Sequence, residues 1–204
     1  LPPQIGRLES LIFAYLPENQ FSGSLPAALG DLPVIESIDI SSNQLSGSLP
    51  PELGNLKTLY SLNLSDNQFS GSIPASFGDM EKVSGLGLSD NQLSGSIPAS
   101  LGNLQNLKVL GLNRNKLSGA IPGTLGNCSN LLLVSVEDNL LDAPLNDSLG
   151  NAKTLTSIYL HGNRIPGSIP SSFGDLPVLT SLDLSNNQLT GSIPASFGNL
   201  SKLR

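Results

Sequence analysis

The chain has 204 residues and a net charge of −6, with 10 Lys or Arg against 16 Asp or Glu. This acidic balance disfavours nucleic acid and anionic membrane surfaces as partners, because both attract basic proteins. Apolar runs are too short for a transmembrane helix, so we expect no direct membrane insertion by this stretch of chain.

One asparagine recurs every 24 residues along the whole chain without an insertion. Its eight copies are Asn19, Asn43, Asn67, Asn91, Asn115, Asn139, Asn163 and Asn187. A fixed period of this length is the signature of a solenoid, in which each unit buries its apolar side against its neighbours. The unbroken period predicts a single elongated domain, residues 1–204, with a continuous core and no linker.

The clearest copy of the unit is residues 179–202, LTSLDLSNNQLTGSIPASFGNLSK. Leu182 and Leu184 alternate with polar residues, which predicts a short strand with its leucines inward and its polar side chains outward. Asn187 follows where the chain turns back. There its amide can bond backbone groups that a tight turn leaves unpaired, and stacked copies would form an asparagine ladder.

The second half of the unit predicts a turn on the opposite side of the coil. Leu189 and Ile193 are expected to point back into the core. Pro194 is placed where a short helical turn can start without losing a needed donor. Phe197 then fills the core, and Gly198 is expected to end the turn.

The two ends of the sequence lack the polar caps that terminal repeats normally need. The chain begins in mid-repeat, and Leu203 matches the first leucine of a ninth strand. We therefore expect a fragment of a longer array. The first strand is the least regular, with Ala14 in a core slot and Phe13 and Tyr15 facing outward.

Repeats two to five are the most regular stretch. Residues 45–50 read LSGSLP, residues 69–74 read FSGSIP and residues 117–122 read LSGAIP. They resemble the L-S/T-G-x-I/L-P signature of the plant-specific leucine-rich-repeat class, and the resemblance covers nearly the whole chain. It implies an α/β solenoid, a right-handed superhelix of about eight 24-residue repeats. The parallel β-sheet would form the concave face and short 3-10 turns the convex face.

The resemblance also implies a function. The class occurs in ectodomains of receptor-like kinases and receptor-like proteins, and in secreted polygalacturonase inhibitors. It implies a non-catalytic scaffold, outside the cell or at its surface, that binds a peptide, a small ligand or a partner protein on its concave face. The first alternative is a secreted inhibitor of wall-degrading enzymes.

Three further alternatives stay open. An ice-adsorbing protein could order water along repeated rows such as Ser41-Ser65-Ser89. A pure spacer and a cytosolic protein from a lineage that uses the same repeat are the others.

Repeat six departs most from the pattern. Residues 142–146, DAPLN, stand where SGSIP is expected, so the turn glycine is missing. In repeat seven, Pro166 replaces the usual Ser or Thr. The convex side is therefore expected to be locally irregular near repeat six.

The sequence offers little reactive chemistry. Cys128 occupies an inward slot that leucine fills in other repeats, which predicts a buried, inert thiol. One cysteine and one histidine are too few ligands for a zinc cluster, so we expect no metal and no cofactor. Gly85-Leu86-Gly87 lacks the third glycine and the following helix of a phosphate-binding loop.

Register places Glu137, His161 and Ser185 side by side on successive strands, in the order of a nucleophilic triad. An exposed row of strand residues supplies neither an oxyanion hole nor a water-excluding pocket, so we expect no catalytic site. The simpler expectation is an exposed pair in which Glu137 favours the protonated form of His161.

Most outward positions are small and polar, and the exceptions gather in repeats five to seven. An apolar and aromatic cluster rimmed by charge has the composition of a binding hot spot. The predicted ligand-binding residues are Val109, Gly111, Arg114, Leu133, Glu137, Tyr159 and His161. The competing interpretation is that scattered apolar surface residues have no role. Phe13 and Tyr15 form a second, smaller candidate.

Four N-x-S sequons suit a secreted glycoprotein. Asn63 belongs to the concave strand face, where a glycan would block the surface. We therefore expect N-glycans at the sites outside the strands, Asn127, Asn146 and Asn199.

Overall fold

The computed structural model describes all residues, 1–204. Each repeat contributes one strand of three residues to an eight-stranded parallel sheet, the concave sheet, whose strand order follows the chain. The strands are Phe13–Tyr15, Ser37–Asp39, Ser61–Asn63, Gly85–Gly87, Val109–Gly111, Leu133–Ser135, Ser157–Tyr159 and Ser181–Asp183. The solenoid predicted from the period is confirmed.

Burial alternates along most of the concave strands as the sequence predicts, except in Leu133–Ser135, where Ser135 is also buried, and in Ser181–Asp183, which is half-buried throughout. Leu62 and Leu64 are fully buried, whereas Ser61 and Asn63 are half-buried on the outward side. Each strand lies in register with the next, so equivalent residues of successive repeats are neighbours across the sheet. The core is therefore continuous, with 46 buried apolar residues in one cluster.

The convex side is built from nine 3-10 turns of five residues each. They are Pro3–Arg7, Ala27–Asp31, Pro51–Asn55, Ala75–Asp79, Ala99–Asn103, Gly123–Asn127, Asp147–Asn151, Ser171–Asp175 and Ala195–Asn199. Proline commonly precedes the turn, as Pro98 does, and the next leucine ends it: the N–H of Leu104 donates to the carbonyl of Leu101. None of these turns has the length and apolar character of a membrane-crossing helix.

The glycine inside each turn has a different role from the one expected for Gly198. That residue lies within its turn, which Leu200 ends. At the equivalent Gly102, an added Cβ would overlap the carbonyl oxygen of Thr124 in the next repeat. These glycines therefore allow neighbouring turns to approach closely, and the expectation that Gly198 ends the turn is wrong.

A second parallel sheet, which the sequence did not predict, follows the asparagine in each repeat. Six strands form its first part: Ser22–Gly23, Gln44–Ser48, Gln68–Gly71, Gln92–Ser96, Lys116–Gly119 and Leu140–Leu141. Pro166–Gly167 and Gln188–Leu189 form a separate pair. The sheet is thus interrupted after repeat six, where the DAPLN segment predicted irregularity.

The interruption has a backbone cause. In repeat eight, the N–H of Thr190 donates to the carbonyl of Gly167 at 2.7 Å. The matching donor in repeat seven would be Pro166, which has no N–H. Its matching acceptor is Ala143, which replaces the turn glycine. At this step only the bond from the Arg164 N–H to the carbonyl of Leu141, at 2.9 Å, remains.

The asparagine ladder joins successive repeats at the end of the concave strands. The Nδ2 atom of Asn115 lies 2.9 Å from the carbonyl oxygen of Leu88 and 3.1 Å from that of Leu112, and its Oδ1 accepts from the Leu93 N–H at 2.9 Å. The same bonds between repeats recur from Asn43 to Asn187. Asn19 bonds only carbonyls of its own repeat.

The predictions for individual core residues are confirmed at Cys128 and Ala14. Cys128 is fully buried, and Ala14 is buried between the exposed rings of Phe13 and Tyr15. In the last repeat Ile193 is 73% exposed, although the equivalent Ile97 is only 3% exposed. The expectation that Ile193 points into the core is therefore wrong for this repeat.

Candidate functional site

The concave sheet carries a shallow concavity of about 380 Å³ across repeats three to six. Its glycine floor is Gly85, Gly87 and Gly111; its apolar side is Val109 and Leu133; and its polar lining includes Ser61, Asn63, Ser89, Asn113 and Ser135. Small residues in the middle of a sheet therefore form a depression between larger outward side chains.

The glycine floor exists because three outward positions on adjacent strands lack a side chain. Gly85 pairs in register with Val109, and Gly87 pairs with Gly111. An added Cβ at Gly111 would meet only the Ser89 hydroxyl closely, at 3.2 Å, and neither that glycine nor Gly87 has a left-handed φ. The role of these glycines is therefore to leave the concavity open, since larger side chains at the same positions would fill it.

The apolar side of the concavity comes from two paired residues. Val109 lies directly opposite Leu133 in the sheet register. Val109 is 41% exposed, and Leu133 is half-buried. Together they offer a small apolar contact surface beside the glycine floor.

The polar lining is a connected set of side chains. The Ser89 hydroxyl donates to Oδ1 of Asn113. The Ser135 hydroxyl lies 3.2 Å from the same Oδ1 and 2.6 Å from Oε2 of Glu137. The Nδ2 group of Asn113 forms no hydrogen bond within the chain, so it is free to donate to a ligand.

The structure brings three of the predicted ligand-binding residues together in this concavity: Val109, Gly111 and Leu133. Tyr159 is half-buried on the next strand, in register with Ser135, but it does not line the concavity. The other three predicted residues, Arg114, Glu137 and His161, lie after the strand ends.

Arg114 is held by the preceding repeat. Its guanidinium makes two hydrogen bonds to the carboxylate of Asp90, one of them 2.9 Å from Nη2 to Oδ2. The hydrogen bond to Asp90 is the main cause that raises the pKa of Arg114 above its usual value, and the charges of Asp90, Glu137 and Asp138 add to it. Arg114 also adopts a left-handed backbone conformation, with φ of 51°.

His161 contacts Asp183 and does not pair with Glu137. Its Nδ1 lies 3.1 Å from Oδ2 of Asp183, in a geometry that forms no hydrogen bond. The Ser185 hydroxyl donates to Oδ1 of Asp183 at 2.7 Å, and this bond is the main cause that lowers the pKa of Asp183. The expected Glu137–His161 pair is therefore not formed. Since Ser185 donates to a carboxylate, its hydroxyl is not activated by the imidazole.

The polar lining of the concavity is not among the residues predicted from the sequence. Asn113 stands in the row that Ser41, Ser65 and Ser89 begin, and this change from serine to asparagine was the available signal. The other candidate, Phe13 with Tyr15, is an exposed pair of rings stacked with centroids 5.9 Å apart at the first concave strand.

The parallel concave sheet, the 3-10 turns and the asparagine ladder together define a leucine-rich-repeat solenoid. A family model described as "Leucine rich repeat" matches residues 153–204. A second, described as "Leucine Rich Repeat", matches residues 35–56, 58–80, 82–104 and 106–128. The chain belongs to the leucine-rich-repeat family.

Solved structures narrow the resemblance to plant receptors. The ectodomain of the membrane receptor kinase GASSHO1/SCHENGEN3 from Arabidopsis thaliana, in complex with CASPARIAN STRIP INTEGRITY FACTOR 2, is 40% identical with a TM-score of 0.98 over 100% of this chain. The Arabidopsis receptor kinase HAESA, in complex with the peptide hormone IDA and the co-receptor SERK1, is 37% identical with a TM-score of 0.91, also over 100% of this chain.

A more distant similarity is to a protein of a different function. A plant ice-binding protein is 27% identical with a TM-score of 0.69, and the match covers 95% of this chain and 70% of that protein. The chain spans only 24% of the GASSHO1/SCHENGEN3 structure and 35% of the HAESA structure. A search of curated protein sequences finds no match.

Proposed function

We propose that the chain is a non-catalytic recognition scaffold that binds an extended peptide in the glycine-floored concavity. The observation that carries this proposal is the depression over Gly87 and Gly111, bounded by Val109 and Leu133 and lined by polar groups. A similar structure, HAESA, is solved with a peptide hormone, which supports a peptide as the class of ligand.

The dimensions of the concavity suit a short stretch of extended chain. Strands in a sheet are about 4.8 Å apart, so the four strands span roughly 14 Å. Extended peptide covers about 3.4 Å per residue, so about four residues would fit. The free Nδ2 of Asn113 and the apolar wall of Val109 and Leu133 offer both polar and apolar contacts.

The receptor resemblance also supports a location outside the cell or at its surface, which we include in the proposal. The sequon asparagines Asn127, Asn146 and Asn199 are exposed and lie outside the concave sheet. Asn63 is half-buried and donates to Asp39 at 3.2 Å. We propose that glycans occupy the first three, and intact-mass analysis after secretion from a eukaryotic host would test this.

A random peptide-display library is the probe for the peptide site. Peptides selected on the wild-type chain should lose at least about tenfold in affinity when Gly111→Leu fills the floor, because the new side chain occupies the ligand's space. Ala99→Leu is the matched control, since Ala99 is exposed on the convex side. Equal affinities for both variants, or no selected peptide, would refute this function.

Ice adsorption is the second candidate, because the plant ice-binding protein has a similar fold. The row Ser41-Ser65-Ser89 is a poor surface for ordering water. The hydroxyls of Ser41 and Ser89 already donate to Asp39 and Asn113 respectively. Exposed Ser48 and Ser96 end strands of the second sheet, and exposed Ser72 directly follows the strand between them. Inhibition of ice recrystallisation that is lost in Ser72→Tyr would support this candidate.

The inhibitor alternative stays a prediction. It has a direct test, which is to mix the chain with a polygalacturonase and measure the rate of substrate cleavage. An unchanged rate at saturating chain concentration would remove it.

A further inference from the structure

We propose that the peptide ligand carries a Lys or Arg side chain that pairs with Glu137 at the repeat-six end of the concavity. This inference rests on the proposed peptide site and specifies its ligand. The concavity has one apolar wall. Just beyond its repeat-six end, Glu137 carries a half-buried carboxylate that forms no ion pair within the chain.

The Glu137 carboxylate has unused capacity to accept hydrogen bonds. Its Oε2 accepts from the Ser135 hydroxyl at 2.6 Å, and its Oε1 forms no hydrogen bond within the chain. No Lys, Arg or His lies within ion-pair distance of it. An ionised carboxylate can accept several hydrogen bonds, and bonds from a cationic donor are the strongest.

Arg114, on the preceding repeat, is paired with a different carboxylate. Arg114 donates twice to Asp90 of the preceding repeat, and that pair is mutually neutral. The carboxylate of Asp138 leans over Gly162, where an added Cβ would overlap it, and it accepts no hydrogen bond. The surface at this end of the concavity is therefore acidic and favours a cationic ligand group.

The neighbouring wall fits the rest of a long basic side chain. Leu133, Ser135 and Glu137 occupy alternate outward positions, and Val109 lies opposite Leu133. Lys and Arg place their apolar stems along such surfaces while their charged ends reach polar groups. A peptide in the concavity can thus place a stem on Leu133 and Val109 and its charge on Glu137.

Acetylated hexapeptide amides in a positional-scanning library are the probe, with binding measured by fluorescence anisotropy. We expect pools with Lys or Arg fixed at one position to bind about tenfold tighter than pools with norleucine there. Glu137→Gln should abolish this preference, because its amide still accepts from Ser135 but carries no charge. Glu52→Gln, on a convex turn, makes the same change in net charge and should leave the preference intact.

The outcomes separate this inference from the function on which it rests. Peptides that lose affinity in Gly111→Leu yet bind wild type and Glu137→Gln with the same preference would overturn the basic anchor alone. Equal loss of Lys and norleucine peptides in Glu137→Gln would also overturn it. No hexapeptide binding to the wild-type chain would overturn both proposals. Unchanged thermal melting of Glu137→Gln would show that folding is not the cause of any loss.

Discussion

The side-chain amide of Asn115 donates a hydrogen bond to the carbonyl of Leu88 in the preceding repeat, at 2.9 Å. The same side chain accepts the N–H of Leu93, so one asparagine bonds the chain on both sides of a turn. Because the repeats have no insertion, the arrangement continues from one asparagine to the next. The ladder thus joins the ends of the concave sheet to the start of the second sheet.

Replacing Asn115 by Ala should lower the free energy of unfolding by about 1–3 kcal/mol, because buried backbone groups lose their partner. Asn103→Ala is the control: that side chain is exposed and takes part in no hydrogen bond, so the change should stay within about 0.5 kcal/mol. Denaturant melts measure both. Similar losses would contradict the role of the ladder.

Gly126→Ala should destabilise the chain by about 1–3 kcal/mol, because the added methyl overlaps the carbonyl oxygen of Ser148 in the next turn. Gly123 begins the same turn, and there a Cβ would lie 3.1 Å from the exposed Asn146 side chain. Repeat four has Ala99 in that slot, so Gly123→Ala should change stability little. Thermal melts that rank the two variants in the reverse order would contradict the close approach of the turns.

The Cys128 thiol should be unreactive in the folded chain. Burial raises its pKa to about 11, and the side chain has no exposed surface, so little thiolate is available at pH 8. A thiol-specific disulfide reagent should react rapidly only after denaturant unfolds the chain. Rapid stoichiometric reaction under native conditions would place the sulfur at the surface instead.

Asp183 should titrate below its ordinary pKa of 3.8, chiefly because it accepts the Ser185 hydroxyl. Its contribution to stability is therefore fully present above pH 3.8 and is lost as the pH falls through the lower folded-state value. Ser185→Ala should raise this pKa towards 3.8 in a carbon-13 NMR titration. Ser181→Ala, which removes a hydroxyl without a hydrogen bond, should not. A pKa unaffected by Ser185→Ala would refute the stated cause.

Leu133→Ala should weaken binding of a selected peptide by about 1–2 kcal/mol, because Leu133 lines the concavity. Tyr159→Ala should change it by less than about 0.5 kcal/mol if the ligand stays within the concavity. Titration calorimetry of both variants measures this contrast. A larger loss for Tyr159→Ala than for Leu133→Ala would place the binding site nearer repeat seven, within the cluster predicted from the sequence.

The fold was predictable from the sequence because each position of the 24-residue unit has a local physical role, and that role recurs in every repeat. The 24-residue period, the alternation of Leu182 and Leu184, and the recurring asparagine predict strands, inward faces and stacking without knowledge of distant contacts. The second sheet was not predicted, but local irregularity near repeat six was, because residues 142–146 lack the turn glycine.

Only the tertiary structure decided how side chains of neighbouring repeats share their partners. Register places Glu137 beside His161, but side-chain geometry leaves His161 with Asp183, and Arg114 with Asp90. The role of Gly126 likewise depends on the next turn, which lies close in space but about one repeat away in sequence. A sequence period determines which residues are neighbours, whereas hydrogen-bond geometry and steric contact determine which of those neighbours interact.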